Sequence, residues 1–124
     1  MGSVEWLDEP EDHDFDAAAQ YLSLISRCGA EVADRFRTVK ECEFYAKDIL
    51  RASGLTPLTR RNEHVAKDLR KIRDGRRLSP VLLVRGQPLV IADGFHRVCA
   101  AYAVGENELV RCRIVSWGYS PLPP

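Results

Sequence analysis

Ser79-Pro80-Val81-Leu82-Leu83-Val84-Arg85-Gly86-Gln87-Pro88-Leu89-Val90-Ile91-Ala92-Asp93-Gly94-Phe95-His96-Arg97-Val98-Cys99-Ala100-Ala101-Tyr102 is the stretch on which the fold turns. Residues 81–84 and 89–92 are short apolar runs on either side of a polar turn at Arg85-Gly86-Gln87, the pattern of neighbouring strands. At His96 the spacing becomes helical, and Asp93-Gly94 is the hinge between the two patterns. A strand that runs through a glycine into a helix start leaves several backbone N–H groups without intrahelical partners, backed by the positive end of the helix dipole. That arrangement suits an anion. His96 and Arg97 add charge-assisted donors, and Asp93 can accept a hydroxyl or hold a cation.

Working outward, Val65, Leu69 and Ile72 recur at i, i+4 and i+7, which predicts a helix over residues 62–74 with Lys67, Arg70, Lys71 and Arg73 on its other face. Beyond the hinge the helix runs over 96–104 and stops at Gly105. In residues 109–115, Val110, Cys112 and Ile114 alternate with Arg111 and Arg113, as in a strand with one buried face. Upstream, a strand is expected over 42–46, a helical turn over 48–53 and a loop over 54–58. Before these, Phe15, Ala18, Leu22 and Ile25 predict an amphipathic helix over 14–27, with Asp14 as its N-cap and Gly29 as its stop. A shorter helix follows over 31–37, and Val4–Leu7 has the character of a short strand. Residues 116–124 form a proline-bearing tail. The expected fold class is therefore α+β: a small mixed sheet flanked by helices, with an N-terminal helical pair, in one domain of 124 residues.

Composition narrows the function classes. Net charge is zero, about half the chain is apolar, and no apolar run nears the ~20 residues of a membrane span. An acidic start, unlike a secretory signal, points to a cytoplasmic protein with no membrane role. Cys28, Cys42, Cys99 and Cys112 are scattered singly, without zinc-site spacing; free thiols in partly buried segments are expected, and no metal centre. The charge is unevenly spread. Seven carboxylates lie between Glu5 and Asp16 with no Lys or Arg, whereas nine basic residues lie between Arg51 and Arg77 against three acidic ones. One basic face open to phosphates follows, or simply a solvated helix surface.

The order Pro80-Val81-Leu82-Leu83-Val84, a turn, Val90-Ile91-Ala92-Asp93-Gly94-Phe95-His96-Arg97, then Ala100-Ala101-Tyr102 and a closing strand, resembles the ParB/sulfiredoxin superfamily. Its members include the CTP-binding partition protein ParB, the sulfiredoxins and free-serine kinases. The resemblance covers residues 44 to 115 and leaves 1–43 outside. It implies a core at 42–115 behind an N-terminal extension at 1–41, and a Gly-x-x-Arg turn seated on a nucleotide's phosphates. Gly94, Phe95, His96 and Arg97 are then the phosphate- or nucleotide-binding residues, joined by Arg60 or Arg61 from the loop ahead of the basic helix. Asp93 and Glu63 are the candidate catalytic carboxylates, Asp93 beside Mg²⁺ or an acceptor hydroxyl and Glu63 as the base. CTP, ATP or ADP with Mg²⁺ are the implied ligands.

Each assignment has a plainer alternative. Asp93 would cap the helix and Arg97 lie exposed; Asn62 would be an N-cap and Glu63 a favourable charge in the first turn; His64 would be a surface or packing residue. Cys99 departs from the sulfiredoxin pattern, because the reactive cysteine of those enzymes precedes the histidine, where this protein has Phe95. The leading functional reading is a stand-alone nucleotide- or phosphate-binding domain acting as a slow nucleotidase or small-molecule kinase. A non-catalytic nucleotide-sensing or protein-interaction module, partnered or self-associating through its N-terminal helices, is one alternative. A nucleic-acid accessory protein using the basic face is another, although specific DNA reading lacks both aromatic interleaving and a helix-turn-helix.

Overall fold

The computed structural model describes residues 3–118. Five helices and a four-stranded sheet lie among them in the order α1 (Asp12–Ile25), α2 (Gly29–Arg35), β1 (Cys42–Tyr45), α3 (Ala46–Ser53), α4 (Glu63–Arg73), β2 (Val81–Arg85), β3 (Val90–Asp93), α5 (Phe95–Val104) and β4 (Leu109–Ser116). Across the sheet the strands run β1-β4-β2-β3. β2 and β3 pair antiparallel around the predicted turn, and β4, returning through α5, lies parallel to β2. β1 closes the other edge antiparallel to β4, with Cys42 opposite Cys112. No helix among the described residues is long and apolar enough to cross a membrane.

Why Val81-Leu82-Leu83-Val84 is apolar without alternation becomes clear from the layers. All four residues are 0 % exposed. Val81 and Leu83 face Ile49, Leu50, Val98 and Ala101 of α3 and α5, whereas Leu82 and Val84 face Phe15, Ala18 and Leu22 of α1. A strand covered on both faces has no solvent side on which to place polar residues. The two N-terminal helices are therefore a full layer of the fold, and burying a side group such as that of Leu22 against the sheet contributes roughly 1.5–3 kcal/mol. α4 lies further out and packs its Val65, Leu69 and Ile72 stripe onto Cys99 and Ala100 of α5.

α1 and α2 meet closely at Gly29. A Cβ built there would lie 2.3 Å from both the carbonyl carbon and the carbonyl oxygen of Leu22. Gly29 is thus the first residue of α2, two residues earlier than the pattern suggests, and α1 has already ended at Ile25.

Four further expectations are corrected. Asp14 is not the N-cap of α1: the cap is Glu11, and Asp14 at N3 accepts a hydrogen bond at its Oδ2 from the Glu11 N–H at 2.9 Å, completing a capping box. The segment 4–7 makes only a single parallel bridge, Trp6 to Leu78, rather than a strand. β4 does not have one buried face. Arg113 is 7 % exposed, its Nε paired with Glu41 and its Nη1 donating to the carbonyls of Phe36 at 2.9 Å and Arg37 at 3.3 Å. Cys28 is exposed rather than partly buried. Of the proline-bearing tail, residues 119–124 lie outside the described residues.

Candidate functional site

β3 ends at Asp93, Gly94 takes a left-handed conformation with φ of 107°, and α5 starts at Phe95. Only a glycine suits that turn. A Cβ there would lie 2.8 Å from Val81 Cγ2 and 2.8 Å from Arg97 Nη2, so its absence makes room for the guanidinium of the same motif. Gly94 itself is the N-cap and no other residue's side group caps the helix, which sets aside a capping role for Asp93. Val98 N–H bonds back to Gly94 O at 3.0 Å, and ahead of it the N–H groups of Phe95, His96 and Arg97 are the orphan donors of the helix start.

Arg97 turns inward. Its Nη2 donates to Asp93 Oδ2 at 2.9 Å and to Pro80 O at 3.4 Å, and its Nη1 to Asp14 Oδ1 at 3.3 Å. Its Nε is buried without a partner. One cation therefore serves two carboxylates, Asp14 being 1 % and Asp93 17 % exposed in their side groups. Burial pushes Asp93 up to about 6; the charge of Arg97 opposes this, and the neighbouring Asp14 carboxyl reinforces it. For Asp14 burial also raises the pKa, but Arg97 together with hydrogen bonds from Asp93, the Glu11 N–H and Ser79 holds it below the usual carboxylate value. Below about pH 6 the pair therefore keeps a proton on Asp93, and the negative charge lies on Asp14.

On the outer side, the rings of His64 in α4 and His96 in α5 face one another at 4.8 Å, tilted by 46°. Burial first, then the charges of His64 and Arg97, keep His96 below the ordinary histidine value, against the pull of Asp68. Asp68, also on α4, is raised by burial despite Arg97, Lys71, His96 and Lys67 nearby.

The structure brings Asp93, Gly94, Phe95, His96 and Arg97 together at one helix start and adds two residues that the sequence did not single out for the site, Asp14 and Asp68. Glu63 stays at the solvent rim: that carboxylate is 89 % exposed, and its contact is with His64 of its own turn at 3.8 Å, next to the Asn62 cap. Arg61 is exposed, its N–H directed at Thr59 Oγ1 at 3.3 Å. Arg60 lines a separate cleft of about 590 Å³ with Arg73, Arg76, Ile72 and Val104, beside the last residues of α5.

The N–H groups at the start of α5 are donors of the kind a phosphate would need. Mg²⁺ fits poorly. Asp93 is engaged by Arg97, and no group of three or more His, Cys, Asp or Glu residues that could hold a metal ion occurs among the described residues. Comparison with protein-family models, curated proteins and solved structures finds no match to this protein.

Proposed function

We propose that this α+β protein binds a phosphorylated small molecule, a nucleotide such as CTP, ATP or ADP, at the first turn of α5, as members of the ParB/sulfiredoxin superfamily that it resembles do. The observation that carries this is the hinge itself: three orphan N–H groups on the dipole end of a ten-residue helix, flanked by the His64–His96 pair. Burial first, and then His64, hold His96 below the ordinary histidine value; a bound phosphate favours the protonated ring and works against both, so affinity falls as pH rises. Binding without turnover is the reading that the carboxylates favour. Asp93 is committed to Arg97, and Glu63 points to solvent, so neither stands ready as a general base.

Calorimetric titration with CTP, ATP and ADP, with and without Mg²⁺, tests the site. One of them should bind, and His96→Ala should weaken it on the order of tenfold through loss of a charge-assisted donor. If none binds at millimolar concentration, or if His96→Ala leaves the affinity unchanged, the proposal is wrong. Phosphate release that Glu63→Gln abolishes would replace sensing by hydrolysis.

A further inference from the structure

Cys42 on β1 and Cys112 on β4 are direct partners in the antiparallel register, and their Sγ atoms lie 3.7 Å apart. Each thiol reaches across to the other's backbone, Cys42 Sγ to Cys112 O at 3.5 Å and Cys112 Sγ to Cys42 O at 3.6 Å. Directly opposed residues in such a pair have Cα atoms about 4.5–5.5 Å apart, inside the about 4.4–6.8 Å that a disulfide spans. Rotation of the two thiols alone can therefore close the remaining gap to a bond of about 2.05 Å. The other two cysteines offer no such geometry: Cys28 is exposed, and Cys99 is buried with its Sγ accepting from the Leu58 N–H at 3.4 Å.

We infer that Cys42 and Cys112 form a covalent redox site, closed to a cross-strand disulfide by a two-electron thiol oxidant of the peroxide class. This inference is independent of any ligand at α5. Accessibility sets the order of events. Cys42 is half-buried on an edge strand, whereas Cys112 is 0 % exposed and covered by the layer of α3 and α5. Burial, with Cys42 beside it, keeps the Cys112 thiol above the ordinary range, so it stays protonated until its partner has reacted.

The Cys42 thiolate attacks one peroxide oxygen: an S–O bond forms, the O–O bond breaks, and the departing hydroxide takes up the former thiol proton as water. The sulfur, oxidised by two electrons, is now a sulfenic acid. Cys112 sulfur attacks it, the S–S bond forms, the S–O bond breaks, and the second water leaves with the Cys112 proton. Two thiols and one peroxide give one disulfide and two waters. The product ties the edge strand that leads into α3 to the inner strand β4.

The intact 124-residue protein with Cys28→Ser, which removes the exposed thiol, is treated with hydrogen peroxide under native conditions, then denatured, alkylated and weighed by mass spectrometry. The expected product is lighter by two hydrogen atoms and takes up one alkyl group, on Cys99. Its digest contains one peptide linked through Cys42 and Cys112, and a thiol reductant restores three alkylations. Adding Cys42→Ser, at the half-exposed position, should abolish the link. Oxidation of Cys42 to sulfinic acid with Cys112 still alkylatable in a protein of native circular dichroism, or a link that forms only in urea, overturns the inference.

Discussion

Asp93→Asn separates the two forces acting on the carboxyl at the hinge. Asn keeps an oxygen to accept from Arg97 Nη2, now 2.9 Å from Asp93 Oδ2, and its amide can donate to Asp14, so the shape and the hydrogen bonds survive while the ionisation is lost. In the wild type the folded state holds the Asp93 proton up to about pH 6, while the unfolded state releases it near 3.8. Between these values the folded state binds more protons, so the contribution of Asp93 to stability falls as pH rises. At about 1.4 kcal/mol per pH unit, the interval sets an upper bound of about 3 kcal/mol, nearly all of it lost by pH 7. Asp14, lowered by Arg97 despite its burial, has the opposite sign: its stabilisation is present above 3.8 and vanishes only at lower pH, outside this window. Urea unfolding of both proteins from pH 4.5 to 7.5 measures the difference, in which the other titrating groups cancel. Asp93→Asn should gain on the wild type by about 2 kcal/mol across the range, most of it below about pH 6.5, because roughly 1 kcal/mol of the bound is already lost at pH 4.5. A difference that stays flat, or that runs the other way because the Arg97 charge outweighs burial, refutes the reasoning.

Two further substitutions test the layers that hold the hinge in place. Gly29→Ala puts a methyl group into the backbone of Leu22, with an approach of 2.3 Å that only helix separation can relieve; a loss of about 1–3 kcal/mol, read as a melting point lower by at least about 5 °C, is expected. Arg113→Met keeps the apolar stem but leaves Glu41 and the carbonyls of Phe36 and Arg37 without their donor, and urea unfolding should show a loss of about 3 kcal/mol. A loss under about 0.5 kcal/mol would mean that water replaces the guanidinium there.

Much of the fold could be read from sequence because its strongest determinants are local. Asn62 is read as a cap because its Oδ1 needs only the N–H groups two and three residues on, and it does accept from His64 at 2.9 Å and Val65 at 3.1 Å. The strand-to-helix switch at Asp93-Gly94 is likewise decided by a glycine and a change of period within a dozen residues. Arg113 defeats the same reasoning. Alternation along β4 gives it a solvent side, but that side is covered by the N-terminal layer and neutralised by Glu41, 72 residues away. No window of the sequence contains that partner. The cysteines are similar: scattered singly in sequence, Cys42 and Cys112 become neighbours only through the register of β1 on β4.

The candidate site divides along the same line. Its donors come from one continuous stretch and were visible, whereas the charge balance that governs them comes from elsewhere. Read alone, Asp14 is one of seven carboxylates in an acidic lead-in; in the fold it is 83 residues from Arg97 and in direct contact with it. Burial above all, and the Asp14 carboxyl in second place, make Asp93 keep its proton to about pH 6 against the pull of the one guanidinium that the two carboxylates share. Through Asp14, α1 therefore contributes one of the two carboxylates that hold Arg97, and it adds to the burial that keeps Asp93 protonated. The N-terminal helices are thus tied to the site by chemistry as well as by packing.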